Sequence, residues 1–437
     1  MRRLIITFSL FFVFEISSIG MFMAPSPIPL ERIVKNTEAH LAENPKDARA
    51  YYTIARAYYL SFYNQSLTVP GFDSGRPGAR SSVAPHWMAA DFKYILLRNE
   101  AQKRVLEEFQ LDSLAELDSK VRNNFYKRLS VVTNELKKSK WRPKKLSANE
   151  VLVFAEKSKN YFLKAIQISK DEGLYYLGLA SLYQQVNDFL EVNKLESDAF
   201  KNIDEKIIKS LFWKAFLISK SKDQKRQFRP PEGLPGLVSY EAGKTLLKDD
   251  TLVESRIKTI SDHLKKMEKL KVGPITPLVI TDNDKIKPNQ FARTNQFVRF
   301  DLNGDGYSES CSWISPETGI LVWDPMNSKS IRSGRQLFGN YTFQLIWKDG
   351  FDAIASLDNN ADRCLSGNEL DGISVWFDQN SNGQSDPREV KPLSQHGINS
   401  LKFDKVTTMG GMKVHVDGVS FESGKTGNLW DWISIPQ

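Results

Sequence analysis

The chain has 437 residues, 41% hydrophobic and 26% charged, with a formal net charge of +8. It is long enough for two or three domains with sizeable cores, and two Cys without CxxC spacing argue against a zinc site. The charge is divided: residues 1–270 hold 44 Lys/Arg against 32 Asp/Glu, and residues 271–437 hold 16 against 20, which implies two parts with different partners.

Residues 1–20 read as a signal peptide. Arg2 and Arg3 precede the apolar run "LIITFSLFFVF" (4–14), and "SIG" (18–20) ends in small residues. An uncleaved anchor over 4–24 is the alternative, opposed by Glu15 and by the shortness of the run. No Cys stands near the site for a lipid anchor, and no later segment is long enough to span a membrane. The protein is therefore expected to be exported to the periplasm, cell surface or extracellular space. The two Cys, Cys311 and Cys364, then form either one disulfide or two unpaired buried thiols.

A Pro-rich lead-in covers 21–30, with "APSPIPL" at 24–30. From 31 to 270 the pattern is helical. In "NPKDARAYYTIARAYYLSF" (44–62) Pro45 closes one helix, and Tyr51, Ile54, Ala55 and Tyr58 share a face of the next. "FLKAIQISKDEGLYYLGLASLYQQVNDF" (162–189) repeats the idea, with Ala165 near the end of one helix and Leu177-Gly178 in the following one. "LFWKAFLISKS" (211–221) reads as a further helix. These segments resemble tetratricopeptide repeats, though unevenly spaced and interrupted by "TVPGFDSGRPGARSSVAPHW" (68–87). The resemblance implies an irregular helical array that serves as a scaffold for a protein partner.

The run "KKSKWRPKK" (137–145) is strongly basic around Trp141. Its default reading is a solvated connection; an anionic polysaccharide or lipid is the partner its charge would suit. Export makes nucleic acid a poor partner. "FRPPEGLPG" (228–236) reads as a loop and 251–270 as a charged helix. "KVGPITP" (271–277) reads as a linker to a domain over 278–437.

Beyond the linker the elements become short, β-branched and aromatic, as in "QFVRFDL", "GILVWD" and "ISVWF", with one or two short helices such as "GFDAIASL" (350–357). Two twelve-residue stretches here begin with Asp, end with Glu and alternate oxygen side chains between. Ca²⁺ takes six to eight oxygens, supplied in an EF-hand loop from positions 1, 3, 5, 7, 9 and 12. The first loop places Asp358, Asn360, Asp362, the Cys364 carbonyl, Ser366 and Glu369 there, and Leu365 at position 8 is expected to anchor it to its neighbour. The second places Asp378, Asn380, Asn382, the Gln384 carbonyl, Asp386 and Glu389, with Gly383 at the position-6 turn. Arg363 at that turn of the first loop costs about 1–2 kcal/mol in a left-handed conformation, so the second site is expected to bind more tightly. A third candidate, 301–312, offers Asp301, Asn303, Asp305, the Tyr307 carbonyl and Glu309, but position 12 is Ser312, too short to chelate.

Only "LDGISVWF" (370–377) separates the two complete loops. Eight residues cannot supply an exit helix and an entry helix, so a calmodulin-type opening is excluded and a structural role for the ions is expected. With these loops and the apolar segments between them, residues 278–435 resemble the EF-hand-type calcium-binding module of haemolysin-type, repeats-in-toxin proteins of bacteria. That family usually carries another oxygen-rich loop after "LVWD". Here "DPMNSKSIRSGRQ" (324–336) has Met326, Ser328, Lys329 and Arg332 in its places, so that site is read as lost.

Catalytic signatures are missing. There is no HExxH and no G-x-S-x-G, and "GVSFESGKT" (418–426) has the wrong glycine spacing for a phosphate loop. The five His are scattered; His415 and Asp417 share a strand face and read as a surface pair. The expectation is a non-enzymatic, multidomain α plus β protein: a helical array joined to a β-rich module with EF-hand-type calcium loops. A surface adhesin or polysaccharide binder is the alternative.

Overall fold

In the computed structural model, residues 28–69, 119–138, 146–223, 228–229 and 235–434 are described, apart from 270, 273–274, 286, 303–307, 326, 341 and 387; within 101–110 all but 102, 103 and 106 are described. The signal-peptide segment, most of the 68–87 insertion, residues 139–145 of the basic run, and Asn303, Asp305 and Tyr307 lie outside these residues.

The helical part runs α1 (Leu30–Glu43), α2 (Ala48–Asn64), α3 (Ser119–Lys138), α4 (Ala148–Ile168), α5 (Gly173–Asn193), α6 (Glu205–Asp223), α7 (Pro235–Leu246) and α8 (Glu254–Glu268). Local chemistry starts several of them. Asp47 accepts the backbone N–H groups of Arg49 and Ala50 ahead of α2, and Ser147 and Glu150 cap α4 reciprocally. In α5 the Leu177-Gly178 pair lets another helix approach closely: a Cβ on Gly178 would stand 2.4 Å from the Phe162 ring. Among the described residues no helix is long and apolar enough to cross a membrane.

Among its described residues the rest of the chain is β-rich, with one short α-helix, α9 (Gly350–Ala355). Its main sheet is antiparallel in the order β11 (Val390–Pro392), β10 (Ile373–Trp376), β8 (Gly319–Trp323), β5 (Leu278–Asp282), β15 (Thr426–Asp431), β14 (Met412–Phe421), β12 (Ile398–Lys402), β9 (Cys364–Ser366), and β13 (Thr407–Met409) pairs with β14. A separate hairpin, β6 (Ala292–Phe300) with β7 (Glu309–Ile314), packs Val298, Phe300 and Trp313 against Trp376, Trp430 and Trp432. "GILVW" and "ISVW" are strands, as expected. Among the described residues four two-residue strands lie outside the main sheet: β1 (Ile28–Pro29) pairs with β2 (Thr68–Val69), and β3 (Phe228–Arg229) pairs in parallel with β4 (Lys271–Val272). Since β3 lies inside the expected 228–236 loop, the expected linker is itself tied down, and Ile275 bridges also to Ser434.

The helical array and the sheet share a core. Tyr52, Ala55, Tyr59 and Phe62 of α2 pack with α4, α5 and α6. Ala50, Ile54, Ala57 and Tyr58 of the same helix join Ile33, Val34 and Leu41 of α1 against Leu278, Leu321, Ile354 and Leu429. Helix α2 is thus buried nearly all round because it is a wall between two cores. Arg49 adds a polar clamp, donating Nε and Nη2 to the carbonyl of Ile346 at 3.0 and 2.5 Å, a β-branched residue held at φ +59°.

Both thiols are free. Cys311 is buried on β7, where Sγ faces the Val298 carbonyl at 3.7 Å, and Cys364 is half-buried on β9. Of the two sequence alternatives, the disulfide is the one not formed.

Candidate metal centre

The two twelve-residue loops share one hydrogen-bond frame, differing in the second N–H that the position-1 carboxylate accepts, from Ala361 at position 4 in the first and from Asn382 at position 5 in the second. The position-1 carboxylate accepts the position-6 amide: Asp358 from Arg363 at 2.9 Å, Asp378 from Gly383 at 2.7 Å. The position-3 amide oxygen accepts the position-5 N–H: Asn360 Oδ1 from Asp362 at 3.0 Å and Asn380 Oδ1 from Asn382 at 3.2 Å. The position-5 oxygen accepts the position-7 N–H, Cys364 to Asp362 at 2.8 Å and Gln384 to Asn382 at 2.6 Å. The closing glutamate turns back into the loop. Glu369 accepts from Asn359 (2.6 Å) and Ser366 (3.1 Å), and Glu389 accepts from Gln379 (2.9 Å) and Asp386 (3.1 Å). Positions 4 and 6 are left-handed in both: Ala361 and Arg363 at +61° and +63°, Ser381 and Gly383 at +54° and +71°.

This frame gathers the acids before any ion is considered. Asp358, Glu369, Asp378 and Glu389 are all buried. Burial pushes the Asp358 and Asp378 carboxyls above their ordinary range, while the backbone N–H groups they accept pull the other way. Among the described residues, no three His, Cys, Asp or Glu side chains converge as a metal centre made of those types alone. A cation here would draw also on the Asn, Ser and carbonyl oxygens between the acids. Such an all-oxygen set fits a hard ion of the calcium kind, with Asp358, Asn360, Asp362, Cys364, Ser366 and Glu369 holding one and Asp378, Asn380, Asn382, Gln384, Asp386 and Glu389 the other.

The supports of the loops differ. Loop 1 has a helical entry: α9 ends three residues before Asp358. Its Leu365 pairs with Leu401 of β12 and not with the second loop, so the expectation of mutual anchoring is corrected: β9 is an edge strand and the loops sit on different strands. Loop 2 is the turn of a hairpin, because β10 and β11 pair through Trp376 and Val390. Trp313 Nε1 donates to Asp378 at 2.7 Å, and Trp376 Nε1 donates to Glu389 at 3.3 Å. Gly383 backs onto Val298, where an added Cβ would come within 2.8 Å, so glycine is needed for room as well as for φ. Arg363 has solvent to extend into and ion-pairs with Glu43 of α1 at 2.7 Å.

Helix α1 grips loop 1 further. Arg32 Nη2 donates to the Leu357 carbonyl at 2.8 Å and Nε to Asn359 Oδ1 at 2.9 Å; Asn36 Nδ2 donates to the Ser356 carbonyl at 2.8 Å. Burial lowers the Arg32 pKa, and the charges of Glu369 and Asp371 push it back up. Sequence reading did not connect these residues with the loop.

In the third candidate, Asp301 bridges to Ser333, and Glu309 accepts the Leu302 N–H at 3.1 Å, the contact that the closing glutamates make elsewhere. Ser312 lies in β7 opposite Phe297. The loop read as lost keeps the backbone frame: Asp324 accepts Ser328 N and Lys329 N, both at 2.8 Å, and Asn327 and Lys329 are left-handed at +48° and +58°. Its position 12 is the buried Arg335.

Two groupings of His were missed. His415 pairs with Asp404 at 2.7 Å, not with Asp417, which binds Thr426 and Asn283 instead. Ser239 Oγ lies 2.8 Å from both Asp223 and His263, all three buried, and burial brings the imidazole down to about 4. The hydroxyl sits between acid and imidazole, with Asp223 Oδ2 also 3.8 Å from His263 Nε2, whereas in a nucleophilic triad the imidazole stands between the hydroxyl and the acid.

The class this architecture defines is a helical array mounted on a β-rich module with oxygen-lined loops. A family profile described as SPM domain matches residues 282–432, a span that holds the loops and every strand of the main sheet but β5, of which it takes in only Asp282. Over 107 residues the chain is 33% identical to the iron-regulated protein FrpA of Neisseria meningitidis serogroup C, covering 23% of this chain and 10% of that protein. The chain thus corresponds to a small part of that relative's length.

Proposed function

We propose that this is an exported, non-enzymatic calcium-binding protein, in which two EF-hand-type loops stabilise the β-rich module and the tetratricopeptide-like helices serve as a scaffold for a protein partner. The observation that carries this reading is the shared hydrogen-bond frame of 358–369 and 378–389, which aims two closing glutamates inward at sets of oxygen donors. Like-charged, buried carboxylates at such spacing need a counter-ion when ionised. A scaffold role draws support from an open groove of about 680 Å³ on the helical array, lined by Lys209, Trp213, Asp249 and Arg256, with Val253 exposed at its edge.

Calorimetric titration of the full chain with Ca²⁺ tests this. Two sites are expected, with Kd near 10⁻⁴–10⁻³ M as in extracellular modules, and Asp358→Ala and Asp378→Ala should each remove one. At free Ca²⁺ of ten times Kd each site adds about 1.4 kcal/mol. Absence of both binding heat and a shift in Tm at 10 mM Ca²⁺ would overturn the reading.

A further inference from the structure

Loop 1 is held by a helix more than three hundred residues away in the chain, and the grip avoids the ligand positions. Arg32 and Asn36 take the carbonyls of Leu357 and Ser356, which lead into the loop, and the side chain of Asn359 at position 2. Asn359 in turn donates its N–H to Glu369, the closing carboxylate. Every oxygen that α1 holds is fixed by the same turn that a cation at Asp358 and Glu369 would fix. Directly beneath, Ile33, Val34 and Leu41 of α1 pack with Phe351, Ile354 and Leu357.

We propose that loop 1 is a calcium-dependent clasp for helix α1, so that filling the loop fastens the helical array to the sheet. This rests on the reading that the loops bind Ca²⁺. With the loop empty, Asp358, Asp362 and Glu369 repel one another and the turn that presents Leu357 O and Asn359 Oδ1 loosens. Since the grip uses no ligand position, it persists when the loop is filled, and the coupling is favourable. Linkage then requires α1 to raise the calcium affinity of loop 1 to the same extent that calcium raises α1 docking. Loop 2, supported by Trp313, Trp376 and Val298, stands outside this coupling.

The test uses the full chain with loop 2 silenced by Glu389→Gln, so that calorimetry reads loop 1 alone, and hydrogen exchange of residues 30–43 with and without Ca²⁺. Saturating Ca²⁺ should slow exchange there about fivefold or more, the lower end of typical coupling. Arg32→Ala with Asn36→Ala should weaken loop 1 by a similar factor and abolish the slowing. If that pair unfolds the chain, Arg32→Lys, which keeps charge but cannot reach both acceptors, should give a smaller loss of the same sign. Binding at loop 1 with unchanged exchange over 30–43, or with affinity unaltered by the variants, overturns the clasp and leaves the calcium reading standing. Absence of binding to the unmodified chain overturns both.

Discussion

Loops 358–369 and 378–389 share one backbone frame and one pattern of side-chain acceptors, yet they are held by different parts of the molecule. Loop 2 is wedged into the aromatic core of the β-rich module, with Trp313 and Trp376 as donors and Val298 against Gly383. Loop 1 lies at the seam with the helical array, where Arg32, Asn36 and Glu43 supply its outer contacts. The difference teaches that local chemistry makes the loop, and its neighbours determine what a change in the loop does elsewhere.

The largest effect should come from Asp378→Ala. It strands two donors, Gly383 N and Trp313 Nε1, and leaves Asn382 N with Asn380 Oδ1 alone, in a corner where Asp378 is 1% exposed. At about 1–3 kcal/mol for each buried unpaired group, a loss of roughly 3–5 kcal/mol is expected in calcium-free denaturant unfolding. Asp358→Ala strands two, Ala361 N and Arg363 N, beside solvent, and should cost about 1–2 kcal/mol. A reversed order would break the comparison.

Arg363→Gly should make loop 1 more like loop 2. It relieves about 1–2 kcal/mol of left-handed strain and gives up an exposed pair with Glu43 worth no more than about 1 kcal/mol. A net gain near 1 kcal/mol in unfolding, with tighter Ca²⁺ binding at loop 1, is the expected outcome. Destabilisation would show that the Glu43 contact outweighs the strain.

The smallest effect is one of pH and belongs to loop 1. Its entry helix α9 begins at Gly350, whose N–H donates to the buried Asp431 at 3.0 Å. Burial first, then the charge of Asp349, holds the Asp431 carboxyl well above its ordinary 3.8. The folded state therefore keeps a proton that the unfolded state has lost. This stabilisation is fully present below about pH 3.8 and is lost as pH rises through the folded value. Calcium-free stability should decline over that rise, and Asp431→Asn should flatten the slope. An unchanged slope would remove α9 from the comparison.

The β-rich strands were legible because short β-branched and aromatic runs between turn residues, as in "GILVW" and "ISVW", are a short-range signal. The short helix at 350–355 was legible too, with Asp349 capping it. The ladder of oxygen side chains in each loop could be read because its hydrogen bonds span no more than ten residues. Less legible was α2, whose Tyr51, Ile54, Ala55 and Tyr58 read as one face when the helix is buried on two. The frame retained at 324–329 was missed because ligand identity was lost while Asp324 still turned the chain.

The order of residues alone decided that oxygen donors would stand at alternate positions between an Asp and a Glu, since that arrangement depends only on neighbours along the backbone. Tertiary structure alone decided that Arg32 would hold the carbonyl of Leu357, that Ser239 would lie between Asp223 and His263, and that Trp313 would cap Asp378. Those contacts join segments with no common periodicity. They arise from the way apolar faces stack, and a linear pattern carries no record of which face meets which.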